Sequence, residues 1–141
     1  MKTLIVDDNI NVIECYKRHI NQNYNYLVDF VANPFDAISL IKNNYYTRIV
    51  TEIFFKNCTT NGLEIIKIAK KQDIKERIIL TSISHPIIIK NTGAILLLRK
   101  PITKNKIISL ISEEMNDFLK IFENREISKT ENFSLFHSIT M

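Results

Sequence analysis

The sequence predicts an α/β fold: a parallel sheet covered by helices on both faces. Short, wholly apolar runs alternate with amphipathic helical segments, and repeated strand–helix units of this length imply that architecture. The chain has 141 residues, 45% hydrophobic and 24% charged, which suits one domain with a real core. Glycine and proline together number only five, so the composition is neither fibrous nor linker-like.

Leu4-Ile5-Val6 reads as a central parallel strand, because it is apolar on both faces, and Asp7-Asp8-Asn9 ends it. A helix over about 11–21 follows, with Val12, Ile13, Tyr16 and Ile20 on one face. Residues 26–31 form a second strand. Asn33 caps the next helix and Pro34 suits its first turn, with Ala37, Ile38 and Ile41 turned inward. Residues 48–53 make the third strand, and an irregular stretch over 54–61 leads to Gly62. The third helix turns Leu63, Ile66 and Ala69 inward and Lys67, Lys70, Lys71 and Lys75 outward. Residues 77–81 and 95–98 form the fourth and fifth strands. Between Thr81 and Gly93 only a short helix fits, and Pro86 followed by three isoleucines weakens even that. A last helix runs over about 103–124 and would be about 33 Å long. The expected organisation is one domain over 1–126 and a tail over 127–141.

Several function classes drop out early. Cys15 and Cys58 are too few and too far apart for a disulfide framework or a zinc site, and a reducing, cytoplasmic setting is expected. Cys15 is expected in the core, and Cys58 is a loop cysteine without clear activation. Only four residues separate Met1-Lys2 from Asp7, so no signal peptide is expected, and no apolar run reaches the length of a membrane span. His19, His85 and His137 lack metal-like spacing. The net charge of +4 is unevenly spread: residues 61–106 hold ten basic and three acidic side chains, and residues 107–141 hold three and six. A solvated lysine-rich helix face explains the basic middle better than nucleic acid, because no recognition helix accompanies it. No glycine-rich turn follows the first strand, which argues against nucleotide binding.

In such folds ligands bind at the carboxyl edge of the sheet. Asp7-Asp8, Glu52, Thr81-Ser82 and Arg99-Lys100-Pro101 stand at strand ends, so carboxylates, a hydroxyl and an ammonium converge on one rim. Carboxylates suit Mg²⁺, while a lysine and a hydroxyl suit phosphoryl oxygens.

With LIVDDN at 4–9, IVTEI at 49–53, NGLEII at 61–66, IILTS at 78–82 and GAILLLRKP at 93–101, the chain resembles the receiver domain of two-component response regulators over about residues 2–124. The resemblance implies a flavodoxin-like three-layer sandwich with strand order 2-1-3-4-5 and, here, a shortened fourth helix. It implies that Asp7 and Asp8 match the acidic pair that holds Mg²⁺, and that Thr81 and Lys100 match the phosphoryl-contacting hydroxyl and lysine. It also implies a cis bond before Pro101.

Three departures from the family set the expected function. Glu52 stands where the family has its phosphorylated aspartate, and its extra methylene moves the carboxylate about 1.5 Å outward. Errors near 1 Å can cost phosphoryl transfer about 100-fold. Glu52 can instead reach Lys100, as a constitutive mimic of the phosphorylated state or as a decayed site. The loop FFKNCTTNG lacks the family's Met-Pro pair, and Lys56 is placed either to enter the acidic rim in place of a metal or to stay solvated. The switch position, aromatic in the family, is Leu97. The expectation is a stand-alone atypical receiver, not an enzyme, that signals through protein contact. It requires no cofactor, and Mg²⁺ is at most a weak ligand. The alternatives are a phosphoacceptor using Glu52 or a neighbour such as Thr51, and a small Asp-dependent phosphohydrolase using Asp7 or Asp8.

The last helix suggests a partner. Ile108, Ile111, Met115, Phe118 and Phe122 form a narrow seam of coiled-coil spacing that continues beyond what a small sheet can cover. A homodimer or another signalling protein on Met115, Phe118 and Phe122 is expected, and the rival is a monomer whose Phe133 and Phe136 fold back on the seam.

Overall fold

The computed structural model describes residues 2–22, 27–81, 93–101 and 103–111. Among these residues there are five strands and four helices, in the order β1 (Lys2–Val6), α1 (Ile10–Gln22), β2 (Leu27–Val31), α2 (Pro34–Asn43), β3 (Arg48–Glu52), α3 (Gly62–Lys71), β4 (Glu76–Thr81), β5 (Leu96–Arg99) and α4 (Lys104–Ile111). All four strand pairs are parallel, and the order is β2-β1-β3-β4-β5. This is the expected fold class. The short helix expected between Thr81 and Gly93, the far end of the last helix and the tail lie outside the described residues.

Alternation along the strands divides the core between the two faces. Ile5, Val50, Ile78, Leu80 and Leu98 pack with Ile13 and Tyr16 of α1 and Ile107, Leu110 and Ile111 of α4. Leu4, Val6 and Ile49 turn the other way, toward Ala37 and Ile41 of α2 and Ile65 and Ala69 of α3. A third cluster joins Ile53, Ile66, Ile79 and Leu97. A residue pointing to either face meets apolar side chains, which is why the strands read as unbroken apolar runs rather than as alternating ones.

The helix starts follow from local chemistry. Asn33 accepts a hydrogen bond from the Asp36 N–H at 2.9 Å, and Pro34 opens α2 without losing a needed donor. Asn61 caps α3 in the same way, accepting from the Leu63 N–H at 2.9 Å. Lys67, Lys70, Lys71 and Lys75 are all exposed, as the charge pattern predicts.

Some boundaries differ from the sequence reading. β4 starts at Glu76, because Glu76 pairs in register with Arg48 and its carboxylate meets the Arg48 guanidinium at 2.8 Å. β5 starts at Leu96 rather than at residue 95, although the Ile95 N–H still donates to the Arg77 carbonyl. Cys15 is half-buried beside the α1–α4 cluster rather than enclosed in it.

Candidate functional site

The rim at the carboxyl edge brings three of the expected side chains into contact. Asp7 follows β1, Glu52 ends β3, and Lys100 follows β5. The strand order places β1 beside β3, whereas β5 reaches the pair only because the long Lys100 side chain crosses in front of β4. The Lys100 ammonium donates to Asp7 Oδ2 at 2.5 Å and meets Glu52 Oε2 at 2.6 Å. All three are largely withdrawn from water, with side-chain exposures of 13% for Lys100, 2% for Asp7 and 8% for Glu52.

The remaining carboxylate oxygens are also engaged. Asp7 Oδ1 accepts from the Asn9 N–H at 2.9 Å, and Glu52 Oε1 accepts from the Ile53 N–H at 3.2 Å. Asp8 does not join the triad. It is exposed, and its Oδ2 accepts the backbone N–H of Lys56 at 2.9 Å. Lys56 therefore enters the rim through its peptide group, while Lys100 supplies the ammonium.

Burial pushes Glu52 above the usual carboxylate range, and the nearby Asp7 charge adds to it. Its bonds to Lys100 and Ile53 pull the other way without offsetting the shift. For Lys100, burial alone would depress the ammonium. Its hydrogen bonds to Asp7 and Glu52, and their charges, outweigh burial and hold it above an ordinary lysine.

The close approach of Gly62 shapes the site. A Cβ there would lie inside the contact radius of the Glu52 carbonyl oxygen, and the Gly62 N–H donates to the Ile53 carbonyl at 2.7 Å. The Asn61-Gly62 pair thus does two jobs, capping α3 and letting its start press against the end of β3.

Other expected positions fall as follows. Thr81 is the last residue of β4, in register with Arg99. Leu97 is buried in the cluster on the α3 side. The Lys100–Pro101 bond is cis. Met115, Phe118 and Phe122 lie outside the described residues. Asn9 has a larger part than the sequence suggested. Its N–H holds Asp7, and its side chain accepts from the Asn11 N–H at 3.0 Å to start α1. The Asp-x-Asn spacing is the signal for such a turn.

A divalent ion, which the resemblance implies, does not fit this donor set. Asp7 Oδ2 and Glu52 Oε2 face the same ammonium, and Asp8 Oδ2 faces a peptide N–H. Among the described residues no three carboxylates, histidines or cysteines come together as a cation cage. Beside the triad a cavity of about 530 Å³ opens between Asp8, Glu52 and Lys56, flanked by Ile10 and Phe54.

No protein-family model matches this sequence, and no curated protein matches it. Solved structures do. A CheY-like response-regulator receiver protein from Methanospirillum hungatei superposes with a TM-score of 0.67 at 22% identity, over 87% of this chain and 96% of that one. A Francisella response-regulator receiver domain gives 0.64 at 25% identity, over 88% and 97%. A Burkholderia pseudomallei response regulator, solved with a phosphorylated aspartic acid, a calcium ion and citrate, gives 0.66 at 20% identity, over 85% and 71%. The chain has the receiver fold.

Proposed function

We propose that this chain is an atypical receiver that takes part in signal transduction through protein contact and is not switched by phosphorylation at the end of β3. The observation that carries this reading is the double engagement of Lys100. Its ammonium binds Asp7 and Glu52 at once, so an internal ion pair occupies the charges that a phosphoryl group and a metal would use. The Burkholderia neighbour carries a phosphorylated aspartic acid, whereas the carboxylate ending β3 here is a longer glutamate. This reading assigns no catalytic role: Asp7 has both oxygens engaged, and Asp8 Oδ2 accepts the Lys56 N–H. Thr51 is a poor acceptor in place of Glu52, because its hydroxyl is fully buried and donates to the Glu52 carbonyl at 2.9 Å.

Support for a contact function comes from the rim. Ile10 and Phe54 are 66% and 56% exposed and stand on either side of the cavity holding Glu52. They give the rim an apolar margin that a protein partner could cover, since the core of an interface excludes water from such side chains. The seam that the sequence predicts at Met115, Phe118 and Phe122, outside the described residues, would give another copy of the chain or a signalling partner a second surface. Sedimentation of the full chain, with and without residues 127–141, separates association on the seam from a tail-covered monomer. A dimer that survives truncation supports association; a full-length monomer that associates only after truncation refutes it.

Incubation with acetyl phosphate and Mg²⁺, followed by intact-mass measurement, tests the central reading. No added phosphate is expected, and an adduct on any acidic residue overturns it. Mg²⁺ titration followed by amide NMR should give millimolar affinity or weaker, because the ion must displace Lys100 to reach Asp7 and Glu52.

A further inference from the structure

A second cavity, of about 500 Å³, lies on the other side of Lys100, between α1 and the start of α4. Its volume is in the range that small-molecule sites occupy. Among the described residues its walls are apolar in the middle: Val12 and Cys15 of α1, Pro101, and Ile107 of α4. The mouth is polar, with the Asn11 and Arg18 side chains on α1, both exposed.

Three features together give the cavity a chemical preference. First, no carboxylate lines it among the described residues, although Asp7, Asp8 and Glu52 crowd the neighbouring rim. Lys100 also lines it, but its charge is already taken by Asp7 and Glu52. Second, Arg18 has no hydrogen-bond or ion-pair partner among the described residues, and its guanidinium is a planar fork suited to a carboxylate. Third, Tyr16 forms part of the wall, fully buried, and its hydroxyl has no partner among the described residues. A buried polar group of that kind is uncommon and calls for an explanation.

We infer that this cavity is a binding site for a small amphipathic carboxylate, whose acid group meets Arg18 and Asn11 and whose apolar body lies along Val12, Cys15, Pro101 and Ile107. Such a ligand would be a chemical input to the domain that bypasses the rim. Because Lys100 is a wall of both cavities, occupancy on one side bears on the ion pair at the other. The inference does not depend on whether Glu52 accepts phosphate.

Octanoate is a suitable probe, with acetate lacking the apolar body and 1-octanol lacking the acid. Amide NMR of the full chain should show saturable octanoate shifts confined to residues 11–18 and 100–111. Octanoate should bind at least about tenfold more tightly than either control, the increment expected of one charge-assisted contact. Octanoate should also protect Cys15 from alkylation by iodoacetamide. Arg18→Gln, on the exposed surface, should abolish the preference for octanoate over octanol. Val12→Trp should fill the cavity and remove octanoate binding. The inference is overturned if octanoate gives no saturable shifts, if octanol binds equally well, or if Arg18→Gln keeps the preference. The Arg18 variant decides the matter even if the Val12 variant does not fold.

Discussion

Asp7, Glu52 and Lys100 set two buried carboxylates against one ammonium, so none of the three has an energy of its own. Removing the cation leaves both anions uncompensated. Lys100→Met should therefore cost about 3–5 kcal/mol, the usual loss when a buried pair is broken from one side. Glu52→Gln should behave differently. Because burial raises the Glu52 pKa in the folded state, its charge opposes folding at neutral pH. The glutamine variant should be at least as stable as the parent at about pH 7. As pH falls through the folded pKa of Glu52, the native state takes up the proton first and the parent recovers, so the difference should narrow by about pH 4. Urea unfolding at both pH values checks this; a variant clearly less stable at neutral pH would show that the Lys100 bridge outweighs burial. Gly62→Ala should cost about 1–3 kcal/mol, because the new methyl group meets backbone rather than a flexible side chain. Its amide spectrum should change most at Glu52 and Ile53. The triad members were legible because each stands at the end of an apolar run. The reason for Gly62 was not, since the Asn61-Gly62 motif signals a turn and a cap but not which carbonyl lies beneath it.

Strands and helices were legible where apolar period and caps agreed, as at Asn33-Pro34 and Asn61-Gly62. Long-range ties between elements were not. Arg48 reads only as the polar first residue of a strand, yet its side chain is fully buried. It donates to Glu76 at the start of β4 at 2.9 Å and to the Leu110 carbonyl of α4 at 2.7 Å. Nothing in the local pattern joins residues so far apart in the chain. Arg48 thereby ties α4 to the amino-terminal edge of the sheet, opposite the functional rim. Arg48→Met keeps an apolar stem but removes the donors, leaving a buried carbonyl and a half-buried carboxylate less well satisfied. A loss of about 2–4 kcal/mol is expected. Hydrogen exchange should localise it, with amides of α4 (Lys104–Ile111) losing more protection than those of α2. Equal loss across both helices would mean that Arg48 acts on the whole core and not on the attachment of α4.

Across the whole molecule, the titrating groups give stability a defined alkaline edge. Tyr16 and Tyr46 are buried phenols whose pKa values are pushed above the ordinary tyrosine value, first by burial and then by the nearby Asp7 and Asp29 charges respectively. The Tyr46 hydroxyl also donates to Asp29 at 2.6 Å. Lys100 is raised as well, despite its burial, by its two carboxylate partners. In each case the folded state keeps a proton that the unfolded chain releases as pH rises past about 10. The unfolded state then binds fewer protons than the native one, so stability falls as pH rises, by up to about 1.4 kcal/mol per pH unit for each such group. The stabilisation is fully present below the unfolded values and is lost as pH climbs toward the folded ones. Thermal unfolding should show little change between about pH 7 and pH 9 and a steep decline above about pH 10. Tyr16→Phe gives the discriminating measurement. Its hydroxyl has no partner among the described residues, so removing it should cost little at neutral pH. It should also flatten the alkaline decline by one proton, because phenylalanine has nothing to release when the chain unfolds. An unchanged slope would mean that the Tyr16 phenol does not titrate differently in the two states, and that the alkaline edge belongs to Tyr46 and Lys100 alone.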